Sequence, residues 1–270
     1  MFVFALPQWA VADEPLDLAE AFALAEDPQE LARTWDQGFV AIPAPAFGPD
    51  GEALIGMLGQ ADTQQRLAAL APDTSLPVVL YLHACAGLGV TATQLPLIAE
   101  QAGFAVVSPD SFGRSLRPKN CDSTTHSSGM FPPALLYRRA EMIEAVRRLR
   151  QLDWVDPDRI VLAGFSEGGT AVALWGGEVE VAGYVVLSWT CTAPPDWSWL
   201  IGLRTPRDRP VLAMVSRDDP WYAWPGWRGD CSSADHGDLR SLVLEHPGHE
   251  VLYYPEAQSA LLEFLRGWSD

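Results

Sequence analysis

Residues 164–168 read Gly164-Phe165-Ser166-Glu167-Gly168, a serine with a glycine two positions away on either side. The run before it, Arg159-Ile160-Val161-Leu162-Ala163, has strand character, and Gly169-Thr170-Ala171-Val172-Ala173-Leu174-Trp175 reads as the first turns of a helix. A serine on a sharp strand-to-helix turn has its hydroxyl lifted above a sheet edge. Small residues on both sides let the backbone close that turn. The chemistry such a serine performs is attack on an acyl carbon. The N–H of Glu167, opening a helix, is the first candidate donor to the oxyanion that forms there.

A serine hydroxyl needs a base, and the base needs an acid to orient it. In the chain order Ser, acid, His, both should follow later strands. Past the strand at 211–215 comes Ser216-Arg217-Asp218-Asp219-Pro220, and past the strand at 241–244 comes Glu245-His246-Pro247-Gly248-His249. Asp219 is favoured as the acid, with Asp218 the alternative. His249 is favoured as the base because Pro-Gly frees its loop to reach over the sheet, with His246 the alternative. The second oxyanion donor is sought in His83-Ala84-Cys85-Ala86-Gly87, where small residues keep the backbone close. The N–H of Cys85 is favoured there, or that of Ala84. His83 ends a buried strand, and a structural hydrogen bond is its expected role.

Positioning these groups requires strands that share one edge. Strands are expected at 78–82, 104–108, 159–165, 184–188, 211–215 and 241–244, with helices near 91–102, at 134–152, after Ser166 and at 256–267. The helix at 134–152 is expected to bury Leu135, Leu136, Met142, Ile143, Val146 and Leu149. A hairpin is expected over 39–59 around Gly48-Pro49-Asp50-Gly51, and 109–132 reads as irregular. Strands alternating with helices imply an α/β fold, a mostly parallel central sheet flanked by helices on both faces, with ligands beyond the carboxyl ends of its strands. One domain is expected over 36–270. Residues 1–35 read as an N-terminal extension, with helices over 16–35 and Pro28 a break or first-turn residue.

Three runs, His83-Ala84-Cys85-Ala86-Gly87, Ser108-Pro109-Asp110-Ser111-Phe112-Gly113-Arg114 and Gly164-Phe165-Ser166-Glu167-Gly168-Gly169, together resemble the dienelactone hydrolase family of α/β-hydrolases over roughly residues 36–267. The resemblance implies an α/β-hydrolase fold and a hydrolytic triad without a cofactor, its roles falling on Ser166, Asp219 and His249. Two departures stand out. The elbow carries a serine where dienelactone hydrolases use cysteine, which favours ordinary esters. Ala84 stands where related enzymes often have glycine after the histidine, and alanine resists φ > 0. The expectation is therefore a serine hydrolase of carboxylic esters or lactones, its partner a small-molecule substrate. A peptidase or acyltransferase with the same triad, or a silent binding protein of the same fold, is the alternative.

The formal net charge of −17 argues against nucleic acid, anionic membrane surfaces and polyanionic substrates. No apolar run approaches the length of a membrane span. The chain holds 11 tryptophans, six of them between 189 and 227. Of these, Trp189, Trp197 and Trp221 are the candidate pocket residues. Cys85, Cys121, Cys191 and Cys231 lack metal-ligand spacing. All four follow strands at the carboxyl side, so two disulfides are conceivable, with Cys121–Cys231 the first expected pair. Ala10-Val11-Ala12 after the apolar 2–6 resembles a signal-peptidase site, implying a periplasmic or secreted protein if the true start lies upstream and a cytoplasmic one otherwise. Oligomeric state is left open.

Overall fold

The computed structural model describes residues 17–268. Residues 2–6 and Ala10-Val11-Ala12, with the export reading that rests on them, lie outside the described residues. Short apolar runs bounded by turns become strands β3 (Leu76–Leu82), β4 (Ala105–Ser108), β7 (Val155–Phe165), β8 (Gly183–Leu187), β9 (Val211–Asp218) and β10 (Leu239–Pro247). With β1 (Phe39–Ile42) and β2 (Leu54–Met57) they form an eight-stranded sheet ordered β10-β9-β8-β7-β3-β4-β1-β2. The pairings from β4 through β10 are parallel, whereas β1 is antiparallel to both β2 and β4. The hairpin expected around Gly48–Gly51 is the β1–β2 pair.

Because β3, β8 and the second half of β7, residues 160–165, are covered on both faces, they are apolar nearly throughout. One face packs under α2 (Pro28–Asp36), α5 (Ala134–Leu149) and α6 (Glu167–Trp175), with Trp35, Met142, Val146, Leu149 and Val172 in its core. The other packs under α4 (Val90–Glu100) and α7 (Pro255–Arg266), with Leu95, Ile98, Ala257 and Leu261. The N-terminal helices, α1 (Leu18–Ala23) and α2, are capped by Asp17 and Asp27, and Pro28 opens α2, where a missing N–H costs nothing.

Several local expectations change. Helix α3 (Ala61–Leu67) lies where no helix was expected. Within 109–132 a two-stranded hairpin forms between β5 (Cys121–Asp122) and β6 (Ser127–Ser128). The inward face of α5 is not the apolar stripe that its spacing predicts. Leu136 and Ile143 are exposed, whereas Arg138 and Glu141 are fully buried. Buried partners for both charges, described below, make that exchange possible.

The disulfides also differ from expectation. Cys85 pairs with Cys121 and Cys191 with Cys231, with Cα–Cα separations of 5.8 and 5.0 Å. Cys121–Cys231 does not form. Cys121 follows β4, two places from β7 on one side of the sheet, beside the β3 loop that carries Cys85. Cys231 follows β9 and meets the β8 loop that carries Cys191. Strand order, which sequence spacing does not reveal, decided the pairing.

Candidate active site

Ser166 sits between β7 and α6 at φ 54° and ψ −114°, a left-handed seat that costs a serine energy. Two hydrogen bonds hold it there. Its N–H donates to Leu187 O at 2.9 Å, and its carbonyl accepts from Thr170 N at 2.8 Å. Glycine is required on both sides. A Cβ on Gly164 would strike the backbone of Gly168, and one on Gly168 would strike Leu82 O. Register places Gly164 opposite Leu82, so the loop after β3 arrives beside the elbow. Cys85, Ser166 and Glu167 line the same cavity. Ala84 is not among the residues with positive φ. The left-handed residue of its loop is Gly87, at φ 105°.

Parallel strands bring the next groups to the same edge. Asp219 follows β9 and His249 follows β10, and the two strands pair along their length. His249 Nδ1 lies 2.6 Å from Asp219 Oδ2, and the Asp219 side chain is almost wholly buried. Asp219 Oδ1 accepts from Trp221 N–H at 3.0 Å, which fixes the carboxylate. The ring of His249 stands 4.9 Å from that of Phe165, next to Ser166, and 5.3 Å from that of Trp221. Its Nε2 is buried and makes no hydrogen bond among the described residues. A carboxylate on Nδ1 leaves Nε2 as the free end of the imidazole, the end a general base uses.

The alternatives point elsewhere. Asp218 is exposed. His246 reaches Glu256 Oε1 at 2.5 Å, and both side chains are solvent-exposed. Two histidine–carboxylate pairs thus lie at the end of β10, but only the His249 pair is largely desolvated, with its ring on Phe165, the chain neighbour of Ser166.

Behind the elbow lies a network of buried charges that the sequence analysis did not anticipate. Glu167 Oε1 accepts from Arg117 Nη2 at 2.6 Å and Glu167 Oε2 from Asn120 Nδ2 at 2.7 Å. Glu141 accepts from Arg114 Nε at 2.6 Å, Arg138 Nη1 at 2.9 Å and Ser111 Oγ at 2.9 Å. The charges of Arg138 and Arg114 outweigh burial and hold the Glu141 carboxyl below its usual range. Arg138 also donates to the carbonyl of His83. Burial and the charge of Arg138 hold the His83 imidazole below its usual range. Although Asp110 Oδ1 lies 3.3 Å away, Nε2 accepts from Ser111 N–H at 2.9 Å, the pattern of a neutral ring whose Nδ1–H donates to Ala84 O at 2.8 Å. The segment 117–121 ties both candidate oxyanion residues together, Glu167 through Arg117 and Asn120, and Cys85 through the Cys121 disulfide.

Sequence reasoning also missed two supports of His249. Ser188, at φ 53°, donates its hydroxyl to His249 O, and Tyr222 donates to Ser188 O at 2.7 Å. Burial, then the nearby Asp219 charge, push the Tyr222 phenol well above its usual range, so it stays a donor. A readable signal existed for the ion network. Arg138 and Glu141 are three apart on a helix face that also carries Met142 and Ala145.

The cavity in front of Ser166 measures about 480 Å³. Trp189, Trp197 and Trp221 line it, joined by Trp199, Trp224 and Trp227.

No protein-family model matches this chain, and no curated protein sequence matches it. Solved structures do. A Klebsiella pneumoniae protein provisionally named a dienelactone hydrolase is 14% identical, with a TM-score of 0.51, over 86% of this chain and 98% of that one. An esterase of Pyrobaculum calidifontis is 17% identical over 93% of this chain and 91% of that one, at 0.46. A Butyrivibrio proteoclasticus protein solved with ferulic acid bound is 15% identical over 72% and 88%, at 0.48. The sheet order, the helices on both faces and the first of these likenesses establish that the chain has the α/β-hydrolase fold.

Proposed function

We propose that the protein is a serine hydrolase of carboxylic esters or lactones. One observation carries this reading. An imidazole oriented by a buried carboxylate at 2.6 Å keeps its other nitrogen buried and unpartnered, and its ring packs on Phe165, the residue before a serine on a strained elbow. The resemblance of the three sequence runs to dienelactone hydrolases supports it.

Ser166 Oγ attacks the carbonyl carbon while His249 Nε2 takes its proton. Asp219 holds the tautomer and stabilises the imidazolium. The carbonyl oxygen becomes an oxyanion facing the N–H groups of Glu167 and Cys85. Collapse breaks the bond to the alcohol oxygen, which takes the proton from His249. In a lactone that alcohol remains attached to the acyl group. Water, deprotonated by His249, then attacks the acyl-enzyme and frees the acid and Ser166.

A fluorophosphonate probe should label Ser166 and leave Ser166→Ala unlabelled. Activated serines react quickly, and a silent binding protein would not react. His249→Ala and Asp219→Asn should each lower kcat for a nitrophenyl ester by on the order of a thousandfold or more. Asp218→Asn and His246→Ala should stay within a few-fold of the parent. Severe loss in His246→Ala with mild loss in His249→Ala would refute the assignment.

A further inference from the structure

We propose that this site takes uncharged esters carrying an aromatic ring, held against indole faces. The proposal rests on the serine hydrolase reading for turnover but not for binding.

The cavity offers two kinds of aromatic surface. Trp189 is buried and pinned edge-on by Tyr222 and Trp227, with ring centroids 5.9 and 6.0 Å away. This wall is already in place before a ligand arrives. Trp197 and Trp199 are 48% and 47% exposed, with centroids 6.4 Å apart, so their faces stand partly in water. A flat ring entering between the two surfaces would cover apolar area that water now touches. Trp221 continues the aromatic surface to within 5.3 Å of the His249 ring, where the scissile bond must lie.

Charge and hydrogen bonding narrow the class. Among the described residues, no lysine, arginine or aspartate lines the cavity. Its one carboxylate, Glu167, has each oxygen engaged, by Arg117 and by Asn120. An anionic substrate would lose its hydration and meet neither lysine nor arginine. A sugar would need several free polar partners. Yet the Asn120 amide is used on both atoms, with Oδ1 accepting from Phe131 N–H at 2.7 Å, Thr170 Oγ1 donates to Ser166 O, and Ser127 Oγ pairs with Thr125 Oγ1, which leaves, among the described residues, the unpartnered Trp189 indole N–H on an aromatic wall and the exposed His126 and Ser128. A cationic ester could sit on indole faces by cation–π attraction, but it would find no ionic partner in the lining. A neutral aromatic ring satisfies the walls with the smallest desolvation cost.

The test isolates aromaticity from size. For wild-type enzyme, kcat/KM is compared for methyl 3-phenylpropanoate against methyl 3-cyclohexylpropanoate, and for benzyl acetate against cyclohexylmethyl acetate. The first pair places the ring on the acyl side and the second on the alcohol side. The aromatic member should win by roughly threefold to tenfold in at least one pair, as stacking against one or two rings implies. Trp197→Leu and Trp221→Leu should bring that ratio toward one. Binding of the same four esters to Ser166→Ala, followed by calorimetry, reads the pocket without the chemistry. Aromatic preference in binding without turnover in the wild type would overturn the hydrolase reading and uphold this one. Turnover with equal rates in both pairs would overturn this one and uphold the hydrolase. Fastest turnover of butyrylcholine or of monomethyl terephthalate would also overturn it, in favour of a cationic or an anionic substrate.

Discussion

On one side of the cavity, Glu167 and Cys85 stand on a packed base of buried ion pairs closed by the Cys85–Cys121 disulfide. On the other side, indoles hang on long loops closed by the Cys191–Cys231 disulfide, and three of them, Trp197, Trp199 and Trp224, are 47–75% exposed. The difference follows from what each wall has to do. Backbone N–H groups stabilise an oxyanion only if they are fixed within a few tenths of an ångström, which buried charge networks and covalent ties achieve. Aromatic surfaces recognise a substrate by area, which tolerates movement and rewards exposure before binding.

The contrast can be broken most severely by truncating one residue on each wall. Glu141→Ala leaves Arg114 and Arg138 buried without their carboxylate and should cost about 3–5 kcal/mol of stability. Trp224→Ala, at 75% exposure, should change stability by no more than about 0.5 kcal/mol. Denaturant unfolding of the two variants measures both values, and comparable losses would mean that the walls do not differ in rigidity.

The disulfides sharpen the comparison because they close loops of nearly equal length, with separations of 36 and 40 residues. Chain entropy therefore assigns each about 4 kcal/mol. Replacing both cysteines of a pair by serine should cost similar stability in either case, but the catalytic effects should separate. Loss of Cys85–Cys121 frees the segment that holds both proposed oxyanion residues and should lower kcat by about tenfold with KM little changed. Loss of Cys191–Cys231 should act mainly on KM for bulky esters. Steady-state kinetics on folded double variants decides this, and a kcat loss confined to the second pair would reverse the assignment of the walls.

The smallest effect comes from acid, which acts first on the ion-paired wall behind Glu167 and Cys85. His83 is held neutral below its ordinary value of about 6.5, so below that pH the unfolded chain binds a proton that the folded chain refuses. Stability should therefore fall as pH drops below about 6.5. Glu141 has a lowered carboxyl pKa, so the unfolded chain again protonates first, and further stability is lost below about pH 5. His83→Gln should remove the upper part of this decline and keep the lower part. Thermal unfolding across pH 4–8 reads both, and a parent with flat Tm between pH 7 and 5 would contradict the neutral assignment of His83.

Much of this site was legible in the chain. The elbow could be read because its glycines and its flanking strand and helix are local requirements of one sharp turn. Asp219 and His249 could be placed because residues just past parallel strands must reach the same edge. Glu167–Arg117 and Glu141–Arg138 were harder to see. A charged residue inside a helix stripe ordinarily marks a solvent face, and only its buried partner shows otherwise. Leu136 and Ile143, exposed where the period of α5 would bury them, are the other half of that exchange.

By itself, then, the sequence determined the order of strands and helices, the strained serine and the short list of acids and bases. Each of these depends on neighbours within a few residues, through backbone sterics and periodicity. Tertiary structure alone decided three things: which histidine of the 246–249 loop meets the buried Asp219, which cysteines pair, and which charges go inside. Those outcomes depend on strand order and on mutual burial. The desolvation of a charge and the proximity of two thiols are properties of the assembled sheet, and no single stretch of the chain carries them.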